Sequence, residues 1–449
     1  MEETRRLAEF IAGTGFDELP PQIVELAKVY LVDNLAAGFV GSAQGSSEIV
    51  AELARELGGR EQASVFNRPW RTDVSRATLV NGVMMGAFEA EHIGHAAHPS
   101  ATVFPAALAV AERDHLDGRS FLAALMLGYE VTCRVGAAQT RATEAERGFH
   151  NPGVNGAFGA ATAVGKLLGL DAQPLAWALG IAGSHACGLA EFVWEGAMTK
   201  RAHPGRAAQL GLESALLAHK GFSGPTTVLE GRYGYLQAYS PSPRPERLLA
   251  GLGREWLAAD LTIKAYPCHA TGQAVVHAIQ QFKRGRPIDP RKIGRVALSI
   301  GPRAAEERHL EREPKTLLGA QYSLPYTAAV ALTRDLSNPF DFDEQTLADP
   351  VVRDLARRIE VRADKQRLDG GDGSAAEVTL ELDGASHTIP APHFPGSATQ
   401  PLDFGGATQK LRRYAAPLVR GERVQEIVEI VREVERLDDV AKLAALIAA

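Results

Sequence analysis

Residues 378–389 read VTLELDGASHTI. Apolar and polar residues alternate on either side of Asp383-Gly384, a pair suited to the positive φ angles of tight hairpin turns. Two short strands joined at that dipeptide are predicted. Upstream, RVALSIG (295–301) alternates too, with Val296, Leu298 and Ile300 on one face, as does IEVRAD (359–364). AVVHAIQQFKRG (274–285) has helical spacing instead. Strands and helices mixed at this density predict an α+β module over residues 266–399. PHFPGSATQPLDFGG (392–406) reads as a linker leaving it.

Outside that module the pattern is helical. PPQIVELAKVYLVDNLAAGFV (20–40) carries apolar residues at helical spacing after a Pro start, and SSEIVAELARELGG (46–59) begins on a serine cap and ends on glycines. FLAALMLGYEVTCRVGAA (121–138) and GRAAQLGLESALLAHKGF (205–222) repeat the pattern, with Ala and Gly enough for close helix approach. In the tail, Val424, Ile427, Val428, Val431 and Val434 form one apolar stripe. An amphipathic helix needs a partner, so the tail is expected to pack back on the first helical region. The predicted fold is mainly α with an α+β lid. Residues 1–265 and 400–449 form a large all-helical domain, and 266–399 form the smaller insert.

The chain has 449 residues, 45% of them apolar, and a formal charge of −6. That charge offers no basic face for nucleic acid. MEETRRLAEF has no signal core, and LAWALGIAGSHACGLAEFVW (175–194) is interrupted by polar residues, so it reads as buried helices and not a membrane span. Cys133, Cys187 and Cys268 are too few for a disulfide framework and form no CxxC pair. The expectation is a cytoplasmic protein without a membrane partner.

Four segments can carry chemistry. EAEHIGHAAHPS (89–100) places His92, His95 and His98 three apart behind Glu89 and Glu91. If it is helical, the first two histidines are neighbours, and Pro99 predicts that the helix stops near His98. The spacing is no strong metal motif, so no metal is expected; incidental loop histidines are the plain alternative. RGFHNPGVNGAFGAA (147–161) sets His150 at a turn before a Gly/Ala helix. EGAMTKRAHPGRAAQ (195–209) holds Lys200, Arg201, His203 and Arg206, with Pro204-Gly205 breaking the pattern. A helix starting there could receive a carboxylate or phosphate at its N-terminus, and an exposed basic turn is the alternative. TIKAYPCHATGQAVVHA (262–278) puts Lys264 before a Tyr-Pro-Cys turn; Cys268 reads as a small buried thiol more readily than a nucleophile. Histidines and lysines without a nucleotide or metal motif point to proton transfer on an anionic substrate, without a cofactor.

Taken together the segments resemble the MmgE/PrpD family, which includes 2-methylcitrate dehydratase, cis-aconitate decarboxylase and iminodisuccinate epimerase. The resemblance rests on residues 16–41, on NGVMMGAFEAEHIGHAAHPSATVFPAALAVAE (81–112), on GFHNPGVNGAFGAATAVGKLLGLD (148–171), and on residues 179–192, 198–236, 263–275 and 322–332, in the family's order. It implies a homodimer without a cofactor, with the active site in the cleft between helical domain and lid. It implies His98 and His150 as proton-transfer groups, Lys200 and Lys264 as partners of carboxylate or oxyanion, and Tyr326 as an orienting or proton-donating group. Glu89, His92, His203, Arg206 and His269 are expected to bind substrate. The family's acidic signature, close to D-F-D-D-T, reads E-A-E-H-I here, so His92 replaces an acid and Ile93 a threonine.

The leading expectation is a lyase or isomerase that abstracts a proton next to a carboxylate of a small polycarboxylate. Dehydration, decarboxylation and epimerisation all share that intermediate. The alternatives are a metal-dependent hydrolase built on His92, His95 and His98, and a non-catalytic relative kept as a scaffold.

Overall fold

The computed structural model describes residues 2–367 and 375–448. Two compact units divide the chain. The first comprises Met1–Ala190, Thr199–Leu261 and Asp403–Ala449; the second comprises Glu191–Met198 and Thr262–Leu402.

The first unit is helical apart from one pairing of Ala63–Ser64 with Arg71–Thr72. Pro21–Ser42 starts with proline in its first turn and is buried on all sides from Ala27 onward, the mark of a core helix. Asn151–Leu167 lies at the centre, against Pro99–Arg113, Gly118–Gln139, Ala172–His185 and Thr199–His219. Glycine sets the spacing of these helices: a Cβ on Gly205 would stand 2.4 Å from the Leu79 carbonyl oxygen, and one on Gly82 would stand 2.6 Å from the Gly205 Cα. Gly118–Gln139 is long and apolar enough to cross a membrane, yet it is almost wholly buried in this unit and carries the Glu130–Arg134 ion pair at 2.6 Å. The tail packs on the opening helices. Asp403 caps Phe404–Ala415 by accepting from the Gly406 N–H at 2.7 Å, and Lys410 of that helix pairs with Asp33 of Pro21–Ser42 at 2.5 Å. Val424, Ile427, Val428 and Val431 are the buried side of Gly421–Arg432, and Val434 is buried just beyond.

The second unit is a four-stranded sheet with helices on one face. The strand order is Ile359–Ala363, Ile293–Ile300, Ala376–Leu382, Ala385–Ala391; the first pair is parallel and the others antiparallel. Asp383 and Gly384 join the last two strands with φ of 51° and 81°, the double positive φ that suits a right-twisted hairpin. Val296, Leu298, Ile300, Val378 and Leu380 share the core with Gln273–Lys283 and Leu324–Thr333.

Several local expectations need correction. The helix after Ser42 starts at Gly45, ahead of the serines; Ser47 is buried within it and no side chain caps its start. Thr199–His219 runs straight through Pro204, because that proline lies only a turn and a half from the helix start and costs one backbone hydrogen bond. The 175–194 run is helix only to His185 and is largely buried only through Ala182; Ser184, His185, Leu189 and Trp194 are exposed. Residues 191–198 group with the second unit, where the Phe192 ring meets the Tyr322 ring edge-on and Thr316 Oγ1 donates to the Gly196 carbonyl at 3.2 Å. The 392–406 stretch is packed: Phe394 is buried, Ile263 N–H donates to the Gly396 carbonyl at 2.8 Å, and the helix already begins at Phe404.

Candidate active site

The site of the first unit grows from an irregular loop, residues 86–98, between Val74–Met85 and Pro99–Arg113. The expectation of helix ending near His98 is reversed. Pro99 is the first helical residue, where its missing N–H costs nothing, and His98 stands at the N-cap. The loop holds three non-glycine residues at positive φ: Glu89 at 52°, His95 at 52° and Ala96 at 57°. Such residues persist where surroundings over-determine them, and they gather at functional sites. His95 and Ala96 form a tight turn closed by Gly94–Ala97 hydrogen bonds of 3.0 and 2.8 Å. Asn155 Nδ2 holds the Ala96 carbonyl at 2.7 Å, and Gly136 leaves room for the His95 carbonyl.

The loop bends at Glu89 and again at Glu91, and both carboxylates come to the same lysine. Glu89 and Glu91 meet Lys200, which sits in the first turn of Thr199–His219. Lys200 Nζ donates to Glu89 Oε1 and stands 3.9 Å from Glu91 Oε1. Glu91 Oε1 is also 2.9 Å from His98 Nδ1. Glu91 has no exposure, whereas His98 keeps 18% of its side chain open. With Nδ1–H donated to a buried carboxylate, His98 is fixed in the tautomer that leaves Nε2 to exchange a proton.

His150 joins this group from the N-cap of Asn151–Leu167, its ring 6.2 Å from that of His98. Its Nδ1 shares a 2.9 Å hydrogen bond with His203 Nδ1. Two nitrogens facing each other need one proton between them, which two neutral rings supply. Burial, with the charges of His203, His98 and Lys200, holds His150 well below the usual histidine range. Burial and then Lys200 lower His203 to about 4. This cluster therefore sets His98 against a buried glutamate, keeps a neutral histidine pair beside it, and places the Lys200 amine between two glutamates.

Other predicted residues lie elsewhere. His92 is wholly buried and its ring turns inward: Nδ1 meets Asp33 Oδ2 at 2.8 Å, and the ring stacks on Tyr30 at 4.6 Å. Arg206 is exposed and its guanidinium donates to Gln209 at 2.5 Å. His92, His95 and His98 do not converge, and among the described residues no group of three or more His, Cys, Asp or Glu could hold a metal ion.

In the second unit Lys264 is buried just ahead of the Tyr266–Cys268 turn. Cys268 is buried and accepts from Gln273 Nε2 at 3.3 Å. His269 stacks on His309 (4.6 Å) and lies tilted against Tyr322 (4.5 Å), with Nδ1 2.9 Å from Thr271 Oγ1. Tyr326 lies in the core of this unit and its hydroxyl donates to the Thr346 carbonyl at 2.7 Å. Its proton is engaged by the backbone, whereas Tyr322 is the tyrosine beside His269.

Sequence reasoning gave Glu91 only a place in the acidic signature and missed Asp33 and Lys410. Asp33 does leave a trace, as the charged residue amid an apolar helix in VYLVDNLAAGFV. Lys410 leaves none, because it looks like any surface lysine of an amphipathic helix.

Residues 5–248 match the MmgE/PrpD N-terminal domain and residues 266–436 the MmgE/PrpD C-terminal domain. The cis-aconitate decarboxylase of Aspergillus terreus is 29% identical over 472 residues, covering 99% of this chain and 95% of that protein. The human cis-aconitate decarboxylase is 28% identical over 460 residues, covering 99% and 94%. The cis-aconitate decarboxylase-like protein oryM of Aspergillus oryzae is 28% identical over 467 residues, covering 99% and 97%.

Proposed function

Since the chain belongs to the MmgE/PrpD family, we propose that it is a lyase that decarboxylates cis-aconitate or a close unsaturated polycarboxylate. The relatives support a lyase-type reaction, and their likeness runs the length of the chain. The observation that carries the reading is the Glu91–His98 pair beside Lys200. The E-A-E-H-I departure is compatible with it, because His92 points into the core and adds no cation beside His98.

The chemistry balances on one proton. In cis-aconitate the departing carboxylate sits on a methylene carbon next to the double bond. As that C–C bond breaks and carbon dioxide leaves, its electron pair forms a new terminal C=C bond. The former double-bond pair moves onto the carbon next to the remaining terminal carboxylate. His98, as an imidazolium paired with Glu91, gives that carbon a proton from Nε2, and methylenesuccinate results. His98 regains its proton from water through its open side. The Lys200 ammonium, fixed by Glu89, stabilises charge spreading onto the neighbouring carboxylate. The His150–His203 pair stays neutral and hydrogen-bonds the substrate.

Proton NMR of the purified protein with cis-aconitate in D₂O with a chelator tests this. The expected result is methylenesuccinate carrying one deuterium on its saturated carbon, with turnover lowered roughly 10²- to 10⁴-fold in His98→Gln. Unchanged cis-aconitate sinks it as the substrate, and equal turnover in His98→Gln sinks the proton-transfer assignment.

A further inference from the structure

Three buried polar side chains, Asp33, His92 and Lys410, hold the other side of the loop that carries Glu89 and Glu91. Asp33 has no exposure, Lys410 has 5% and His92 has none. Lys410 Nζ donates to Asp33 Oδ1 at 2.5 Å and to the Ala90 carbonyl at 2.7 Å. Asp33 Oδ2 holds His92 Nδ1 at 2.8 Å. A buried ion pair often gives no more stability than an apolar replacement, so its contacts are the better guide to its purpose.

Those contacts alternate with the ones that face the site. Glu89 meets Lys200, Ala90 is held by Lys410, Glu91 meets His98, and His92 is held by Asp33. Residues 89–92 belong to no helix or strand, so no backbone ladder fixes them. Glu89 is also held at a φ of 52°, a conformation that relaxes unless its neighbours are anchored. The anchors are the Ala90 carbonyl and the His92 ring, one on each side of Glu91.

We propose that Lys410, Asp33 and His92 are positioning residues, which pin Ala90 and His92 so that Glu91 fixes the tautomer of His98 and Glu89 holds Lys200. This rests on the proton-transfer role given to His98 above. Burial raises the Asp33 carboxyl, but the Lys410 charge and the His92 contact more than offset it and leave it below its ordinary range. His92 is lowered by burial despite Asp33, which suits a neutral ring donating its single proton to that carboxylate.

The test uses full-length protein with ¹⁵N-labelled histidine and long-range ¹H–¹⁵N spectra at a pH where the rings are neutral. His98 is identified by its absence in His98→Gln. Wild type is expected to show His98 protonated at Nδ1. In Asp33→Asn/Lys410→Met, which removes both buried charges together, His98 is expected to revert largely to the Nε2–H form usual in water, with kcat down about tenfold to a hundredfold. Circular dichroism checks that the double variant folds. If it does not, His92→Phe, which can keep the stack on Tyr30, releases the loop from the other anchor and is judged by the same spectra. A folded variant that retains the wild-type His98 pattern overturns the positioning role, whether or not cis-aconitate turns over. A pattern that depends on these residues, in a wild type inert to cis-aconitate, supports the positioning role and fells only the reaction assigned above.

Discussion

Glu91 and His98 are joined by a 2.9 Å hydrogen bond between a carboxylate shut off from solvent and an imidazole that reaches it. In the reaction proposed above, the carboxylate sets which nitrogen bears the proton and balances the charge of the ring as it is transferred. Glu91→Gln keeps the shape and removes that charge. Its kcat is expected to fall roughly 10²- to 10⁴-fold, with little change in melting temperature. Steady-state kinetics beside a thermal melt check this; wild-type kcat in a folded Glu91→Gln protein contradicts it.

His203 gives a pH dependence with a definite sign. Burial and Lys200 lower its folded pKa to about 4, against an ordinary value of 6.5. The unfolded chain therefore binds the extra proton first as pH falls. The stability tied to a neutral His203 is complete above pH 6.5 and lost as pH drops toward 4. His203→Gln should flatten that part of the profile of melting temperature against pH. A slope unchanged by the substitution refutes the assignment.

Arg134 is wholly buried. It pairs with Glu130 at 2.6 Å and donates to the carbonyls of Leu248, Ala250 and Glu255 at 3.2, 2.8 and 2.8 Å. Burial already raises the Glu130 carboxyl despite Arg134. Arg134→Met strands that carboxyl and three carbonyls, and is expected to cost about 3–5 kcal/mol in urea unfolding. A loss below ~1 kcal/mol would mean that water or rearrangement replaces the guanidinium.

Gly205 touches Leu79 and Val83 so closely that a methyl group cannot enter without moving a helix. Gly205→Ala is expected to destabilise by roughly 1–3 kcal/mol. It should also lower activity, because Lys200 and His203 are on the helix that must move. A variant with wild-type stability and turnover argues against this tight crossing.

The hairpin at Asp383-Gly384 and the apolar stripe from Val424 to Val431 were legible because each follows from local rules, two positive φ angles in one case and helical spacing in the other. The loop at 86–98 was not. Its three histidines look equivalent in sequence, but the structure sends His92 to Asp33, His98 to Glu91, and His95 into a tight turn. Those destinations depend on partners up to 320 positions away, through the Lys410–Ala90 contact. Pro99 misled for a related reason: proline marks a helix boundary without saying which side is helical. The seven-segment resemblance supplied His98, His150 and Lys200, which spacing alone could not rank.

The Lys410 anchor ties the preparation of the site to the order in which the chain is made. Lys410 lies in the third and final stretch of the first unit, while the loop it holds is near residue 90. A growing polypeptide leaving the ribosome therefore exposes Glu89, Glu91 and His98 long before their clamp exists. The inserted unit, complete by Leu402, can condense first. The helical unit must keep an open seat for its last helices, a late long-range closure that slows folding. Nascent chains stalled before residue 410 should contain Glu89, Glu91 and His98 but lack the Lys410 contact that holds the Ala90 carbonyl.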